Sequence, residues 1–132
     1  LMTYLLDTNT LIYFFKGMGN IQRHLLSLPP NEIGVPTIVL FELEVGIAKS
    51  SSPRKRISQL KEFTDPLNII PFGMAEAKAA AQIRAKLEKK GIPIGPYDVL
   101  IAACAKANNL ILVTHNLKEF KRIEGLRLED WY

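Results

Sequence analysis

The chain has a single cysteine, Cys104, among its 132 residues. An internal disulfide is therefore excluded, and a reducing, cytoplasmic setting is the expectation. Long apolar runs are also missing. The longest, around Ile33 to Phe41, is broken by Gly34, Pro36 and Thr37 and stops at Glu42, well short of the ~20 residues a membrane helix needs. No leader is expected, because the first residues already read as a core strand. The only histidines, His24 and His115, stand without a Cys or a second His at zinc-like spacing, so neither is taken as a ligand. There is no P-loop and no G-x-G-x-x-G, which removes the motif basis for a nucleotide cofactor. Internal repeats, low-complexity tracts and linkers are absent, so residues 1–132 read as one domain.

What is present is average in bulk and uneven in detail. Hydrophobic residues make up 48% and charged residues 23%, the proportions of an ordinary folded domain. Lys and Arg number 17 against 13 Asp and Glu, for a net charge of +4. This excess tilts the reading towards a polyanionic partner without establishing one. Bases cluster at Arg54-Lys55-Arg56, at Arg84, Lys86, Lys89 and Lys90, and at Lys118, Lys121, Arg122 and Arg127. Several acids stand singly among apolar neighbours.

Hydrophobic spacing predicts short strands at Thr3 to Leu6, Ile33 to Val35, Leu67 to Ile70 and Leu110 to Val113, with an edge strand near Leu126 to Leu128. Helices are expected from Asp7-Thr8-Asn9 to Gly17, around Ile21 to Leu28, and from Ile38 to Lys49 behind a break and cap at Pro36-Thr37. Further helices are expected at Arg54 to Phe63, Met74 to Lys90, Pro96 to Ala107 and Leu117 to Lys121. Gly91 suits the residue just past a helix end and Pro96 a first helical position. Strands alternating with helices predict a three-layer α/β/α domain on a mainly parallel sheet, with ligands outside the carboxyl ends of the strands. Asp7 and Asn116 both fall at such ends.

Asp7 fits a helix cap and equally a metal ligand. Asp98 would lie near N3 of its helix, where a carboxylate gains from the macrodipole with no further role. Glu42 and Glu44 share an apolar helix, and periodicity leaves open which faces inward. The one that does needs a counter-charge, yet Arg23 is the only Lys or Arg between Lys16 and Lys49. Carboxylates from separate strand–helix junctions form a hard oxygen-donor site suited to Mg²⁺ or Mn²⁺, and the chemistry that uses such sites includes phosphodiester cleavage. Asn9 stands where a haloacid-dehalogenase-type phosphatase would need a second Asp. Cys104, among alanines, reads as a packed thiol.

Taken in order, Leu5-Leu6-Asp7-Thr8-Asn9, Glu42, Gly91 to Ala105 with Asp98, Val113-Thr114-His115-Asn116, Glu119-Phe120 and Gly125 to Trp131 resemble the PIN-domain ribonuclease toxins of bacterial toxin–antitoxin pairs, the VapC family. The segment Gly91-Ile92-Pro93-Ile94-Gly95-Pro96-Tyr97-Asp98 is most similar to the branch that cleaves initiator tRNA in its anticodon stem-loop. The resemblance implies a PIN-like α/β/α fold, a magnesium-dependent endoribonuclease and an acidic pocket of Asp7, Glu42 and Asp98. In many relatives the position of Asn116 is Asp, and either Asn116 or Glu119 is left to complete the set. Thr8, Asn9 and Thr114 match positions that orient the acids or water. Arg84, Lys86, Lys89 and Lys90, together with Arg54 to Arg56, are candidates to guide RNA. The resemblance also implies a homodimer and a VapB-type antitoxin whose C-terminal segment covers the pocket. The competing readings are a catalytically silent PIN module that binds nucleic acid or regulates, and a flap-type DNA nuclease, for whose helical arch the chain has little room.

Overall fold

The computed structural model describes residues 2–132. The chain opens with strand β1 (Tyr4–Leu6), helix α1 (Thr8–Lys16) and helix α2 (Ile21–Leu26). A 3-10 turn at Pro30–Glu32, unforeseen because the Pro29-Pro30 pair reads simply as a stop, leads into β2 (Ile33–Pro36), α3 (Thr37–Ala48) and α4 (Pro53–Thr64). Then come β3 (Asn68–Ile70), α5 (Met74–Lys89), α6 (Pro96–Ala107), β4 (Ile111–Val113), α7 (Leu117–Phe120) and β5 (Leu128–Glu129). Pro36 occupies the cap position of α3 and Thr37 is already helical, so the expected Thr37 cap is not made. The other boundaries fall within about two residues of those the spacing predicts, the usual uncertainty of helix ends.

The five strands form one sheet in the order β3-β2-β1-β4-β5. Every neighbouring pair is parallel, with Leu5 beside Gly34 and Leu112, and Leu6 beside Val113. Parallel neighbours require right-handed crossovers. From β1 the chain steps outwards to β2 and β3, then returns to β4 and β5 on the other side. That places α1 to α4 against one face and α5 to α7 against the other, giving the expected three layers. The inner strands are buried on both faces, which is why Leu5, Leu6, Leu112 and Val113 are all fully enclosed.

The reversal between β1 and β4 creates a crevice at their carboxyl ends, the position where open α/β sheets bind ligands. Two further features aim α6 at it. The end of α5 closes in a Schellman motif, with Gly91 at φ +70° and the amides of Gly91 and Ile92 donating to Glu88 and Leu87 at 3.0 Å each. Pro96 then starts α6 at its first position behind Gly95. The helix itself is anchored by Ile101 to Ala105, every one of them buried. No helix among the described residues is long and apolar enough to cross a membrane.

Candidate active site

Asp7 follows β1 directly and caps α1, its Oδ1 accepting from the Thr10 amide at 2.9 Å. The helix-cap reading of this residue is met, and the cap sits in the crevice beside β4. It is only 4% exposed. Burial pushes its carboxyl above the usual range, hydrogen bonds from Thr114 and Thr10 pull it back, and the charge of Glu42 adds to the rise. Thr114, immediately after β4, is fully buried and is itself held by the Asn116 amide, which donates to its Oγ1 at 3.0 Å. A relay of Asn116 amide, Thr114 hydroxyl and Asp7 carboxylate thus ties the end of β4 to the end of β1. Thr10 belongs to the same arrangement, since its hydroxyl donates to the Val113 carbonyl at 3.2 Å. The sequence reading missed Thr10; the signal available for it was the three-residue spacing between an N-cap Asp and the N3 amide.

Glu42 projects from α3 towards the same crevice, half-buried, and accepts a 2.6 Å hydrogen bond from the Thr8 hydroxyl. Glu44 is exposed, so the choice that periodicity left open falls to Glu42. Asp98 occupies N3 of α6, also half-buried. Its carboxyl is pushed up to about 7, first by desolvation, then by a hydrogen bond and charge from Glu119, and further by Asp7 and Glu42. Glu119 feels burial too, but the Gly95 amide at 3.0 Å, the Asn116 side-chain amide at 2.9 Å and Asp98 outweigh it and hold its carboxyl low. The pair is thereby driven apart, Asp98 towards its protonated form and Glu119 towards its ionised one. Gly95 makes room for this pair: a Cβ there would lie 3.3 Å from Asp98 Oδ2.

Four acids from four elements therefore act on one another electrostatically. Asn116 and Glu119, offered as alternatives by the sequence, are hydrogen-bonded partners at the same rim. Asn9, by contrast, is exposed on α1 and makes no side-chain hydrogen bond among the described residues. The histidines lie elsewhere: His24 stacks on Trp131, and His115 pairs with Asp130 at 2.9 Å and stacks on Tyr132. Cys104 is fully buried, with its thiol pushed up to about 12 by desolvation and then by Glu76, as an inert core residue should be. Of the expected RNA contacts, Arg84 is paired with Glu88 at 2.8 Å and Lys90 with Glu124 at 2.7 Å, while Lys86 and Lys89 are exposed.

Among the described residues no Lys or Arg forms an ion pair with Asp7, Glu42 or Asp98. A set of anionic oxygen donors with no bonded cation is chemically suited to a hard divalent ion. As the side chains stand, no three His, Cys, Asp or Glu residues among those described converge into a ready ligand cage. Asp7 and Glu42 are turned onto hydroxyls and Asp98 onto Glu119. Beside Glu42 a groove of about 250 Å³ runs between α1, α3 and α4, lined by Ile12, Phe15, Leu43, Ile47 and Leu60 with Lys16 and Arg56 at its edge.

Known proteins resemble this chain over its whole length. The PIN domain model matches residues 4–126. The tRNA(fMet)-specific endonuclease VapC of Salmonella typhimurium is 37% identical, with 99% of each chain covered. Ribonuclease VapC2 of Rickettsia felis is 41% identical over 98% of each. In the crystal structure of DNA-bound VapBC from Salmonella typhimurium, the matching chain superposes with a TM-score of 0.94 at 37% identity, with 100% of each chain covered. The chain belongs to the PIN-domain family, within its VapC ribonucleases.

Proposed function

We propose that this chain is the ribonuclease toxin of a toxin–antitoxin pair and that it cuts a phosphodiester bond of initiator tRNA in the anticodon stem-loop. The observation that carries the reading is the meeting of Asp7, Glu42, Asp98 and Glu119 at the crevice between β1 and β4, with no basic side chain bonded to the first three. The name of the Salmonella relative supports the tRNA substrate.

Asp7, Glu42 and Asp98 would hold Mg²⁺, or Mn²⁺ in its place, with Asn116 and Glu119 behind them. Such an ion supplies positive charge for the phosphate oxygens and acidity for a water nucleophile. The protein's own contribution is orientation and proton bookkeeping. Thr10 and Thr114 fix the rotamer of Asp7 and favour its ionised form; Thr8 does the positioning for Glu42. Asn116 and the Gly95 amide favour the ionised form of Glu119, while burial and the neighbouring acids favour the protonated form of Asp98, which a bound cation would oppose. Water then adds to phosphorus as the P–O3′ bond breaks, leaving a 5′-phosphate and a 3′-hydroxyl.

The partner is the one that the family implies. The apolar groove beside Glu42 would seat the C-terminal segment of a VapB-type antitoxin, placing an arginine among the acids as the counter-charge. A homodimer is the proposed assembly. The test is cleavage of a synthetic anticodon stem-loop RNA with Mg²⁺ or with EDTA, comparing the unsubstituted chain with Asp7→Asn. The substitution should abolish cleavage and leave the fold intact. Undiminished cleavage by Asp7→Asn would sink the proposal, and cleavage of flapped DNA in preference to RNA would redirect it.

A further inference from the structure

A second cavity of about 250 Å³ lies between α5, α6 and the turn that follows α7. It belongs to the layer opposite the groove beside Glu42, and of its charged residues only Arg122 reaches the acid cluster, where its charge helps hold the Glu119 carboxyl low. Its lining brings together Lys86 and Lys90 from α5, Lys106 from the last turn of α6, and Arg122, with Glu124 as the one acid. These residues are scattered over 38 positions of sequence and meet only through the packing of α5 along α6. Their convergence is visible on Glu124: Lys90 Nζ lies 2.7 Å from its Oε1, and Lys90, Lys86 and Lys106 together hold its carboxyl below the usual range.

A plainer explanation exists for part of this. Lys86 and Lys106 sit in the last turns of their helices, where a cation gains about 0.3–1 kcal/mol from the macrodipole. That accounts for neither Arg122 nor the gathering of three lysines around one carboxylate, whose mutual repulsion a polyanion would relieve. Arg122 also differs from a free surface charge. It is half-buried, and its guanidinium donates to the Pro93 carbonyl at 2.9 Å. Two residues further on, the Gly95 amide donates to Glu119. The Pro93–Gly95 segment is thus held by the basic cleft through one residue and by the acid site through another, so whatever fills the cleft is placed relative to Asp98.

We propose that this cleft, formed by Lys86, Lys90, Lys106 and Arg122, is a subsite for backbone phosphates of the RNA, engaging the strand away from the bond that is cut. The inference rests on the ribonuclease reading and extends it to a place where the substrate is gripped. Arg84 and Lys89, of the expected contacts, do not line it.

The experiment measures binding of a labelled anticodon stem-loop RNA to the full chain carrying Asp7→Asn, across a salt series, beside cleavage by the chain with Asp7 restored. The cleft pair Lys86→Gln/Lys106→Gln is compared with Arg23→Gln/Lys49→Gln, which removes the same charge from exposed positions on α2 and at the end of α3. The cleft pair should weaken binding about tenfold near 0.1 M salt and flatten the log–log salt dependence by about 1.5–2, while the control pair changes neither. Equal losses in both pairs, no loss in either, or no RNA binding by the starting protein would overturn the proposal. So would an altered sedimentation of the cleft pair with RNA binding unchanged, which would assign the cleft to a second copy of the chain. Cleft-dependent binding without any cleavage would uphold the subsite and defeat the ribonuclease reading. Cleavage indifferent to the cleft pair, with binding indifferent too, would do the reverse.

Discussion

Asp98→Asn should end cleavage and at the same time make the protein more resistant to heat above neutral pH. The carboxyl of Asp98 rises from an ordinary value of 3.8 to about 7 through burial and through Glu119, Asp7 and Glu42. The folded state therefore pays for ionising it. Between 3.8 and about 7 the protein binds a proton that the unfolded chain has released, so this cost is complete above pH 7 and disappears as pH falls towards 4. Taken whole, the shift corresponds to about 4 kcal/mol. Asp98 is only half-buried, and solvent screening with the opposing shift of Glu119 reduces a realistic figure to about 1–2 kcal/mol. For a domain of this length that is roughly 3–8 °C in melting temperature. Thermal melts in EDTA at pH 8 and pH 5 should show Asp98→Asn above the unsubstituted chain at pH 8, with that advantage cut to less than half at pH 5. Added Mg²⁺ should raise the melting temperature of the unsubstituted chain at pH 8 and leave the variant where it was. A variant that melts lower at pH 8, or whose advantage is the same at both pH values, would refute the account of a strained acidic site.

The two glycines of the loop should separate fold from function. Gly91→Ala meets φ +70° with open space around the new methyl, so it should cost about 1 kcal/mol in a melting experiment and leave the cleavage rate intact. Gly95→Ala has an ordinary φ of −55° but a methyl 3.3 Å from Asp98 Oδ2; its stability should barely change while cleavage falls roughly tenfold or more. The opposite pattern in the same two assays would show that the loop does not position Asp98. Thr114→Val keeps the buried volume but removes the bond to Asp7 and the acceptor for the Asn116 amide. It should lose about 1–3 kcal/mol and move the acid limb of the pH–rate profile upwards, because Asp7 would hold its proton more tightly. An unchanged profile would mean that Thr114 serves packing alone.

Much of the architecture could be read from the chain because it depends on local order. Apolar runs such as Leu110 to Val113 and turn residues such as Gly91 act over a few positions, and parallel pairing follows once strands and helices alternate. Of the three acids named by the resemblance, Asp7 and Asp98 also lie at element ends that periodicity can locate, whereas Glu42 lies mid-helix. What local order does not carry is direction and distance. Glu42 and Glu44 are two residues apart on one apolar helix, and only the packing of α3 beside α1 turns the first onto Thr8 and leaves the second in water.

The amino-acid sequence by itself determined the strand–helix alternation, the stiff lead into α6 and the acids at the end of β1 and the start of α6, since each rests on near-neighbour sterics and hydrophobic period. Tertiary structure alone decided that Asp98 and Glu119 shift each other's carboxyls in opposite directions, that Thr10 and Thr114 support Asp7, and that Arg122 joins three distant lysines. These are pairings across the β1–β4 crevice and the α5–α6 interface. They exist only where parallel crossovers bring residues far apart in the chain within reach of a hydrogen bond or a Coulomb field, and no pattern of spacing encodes them.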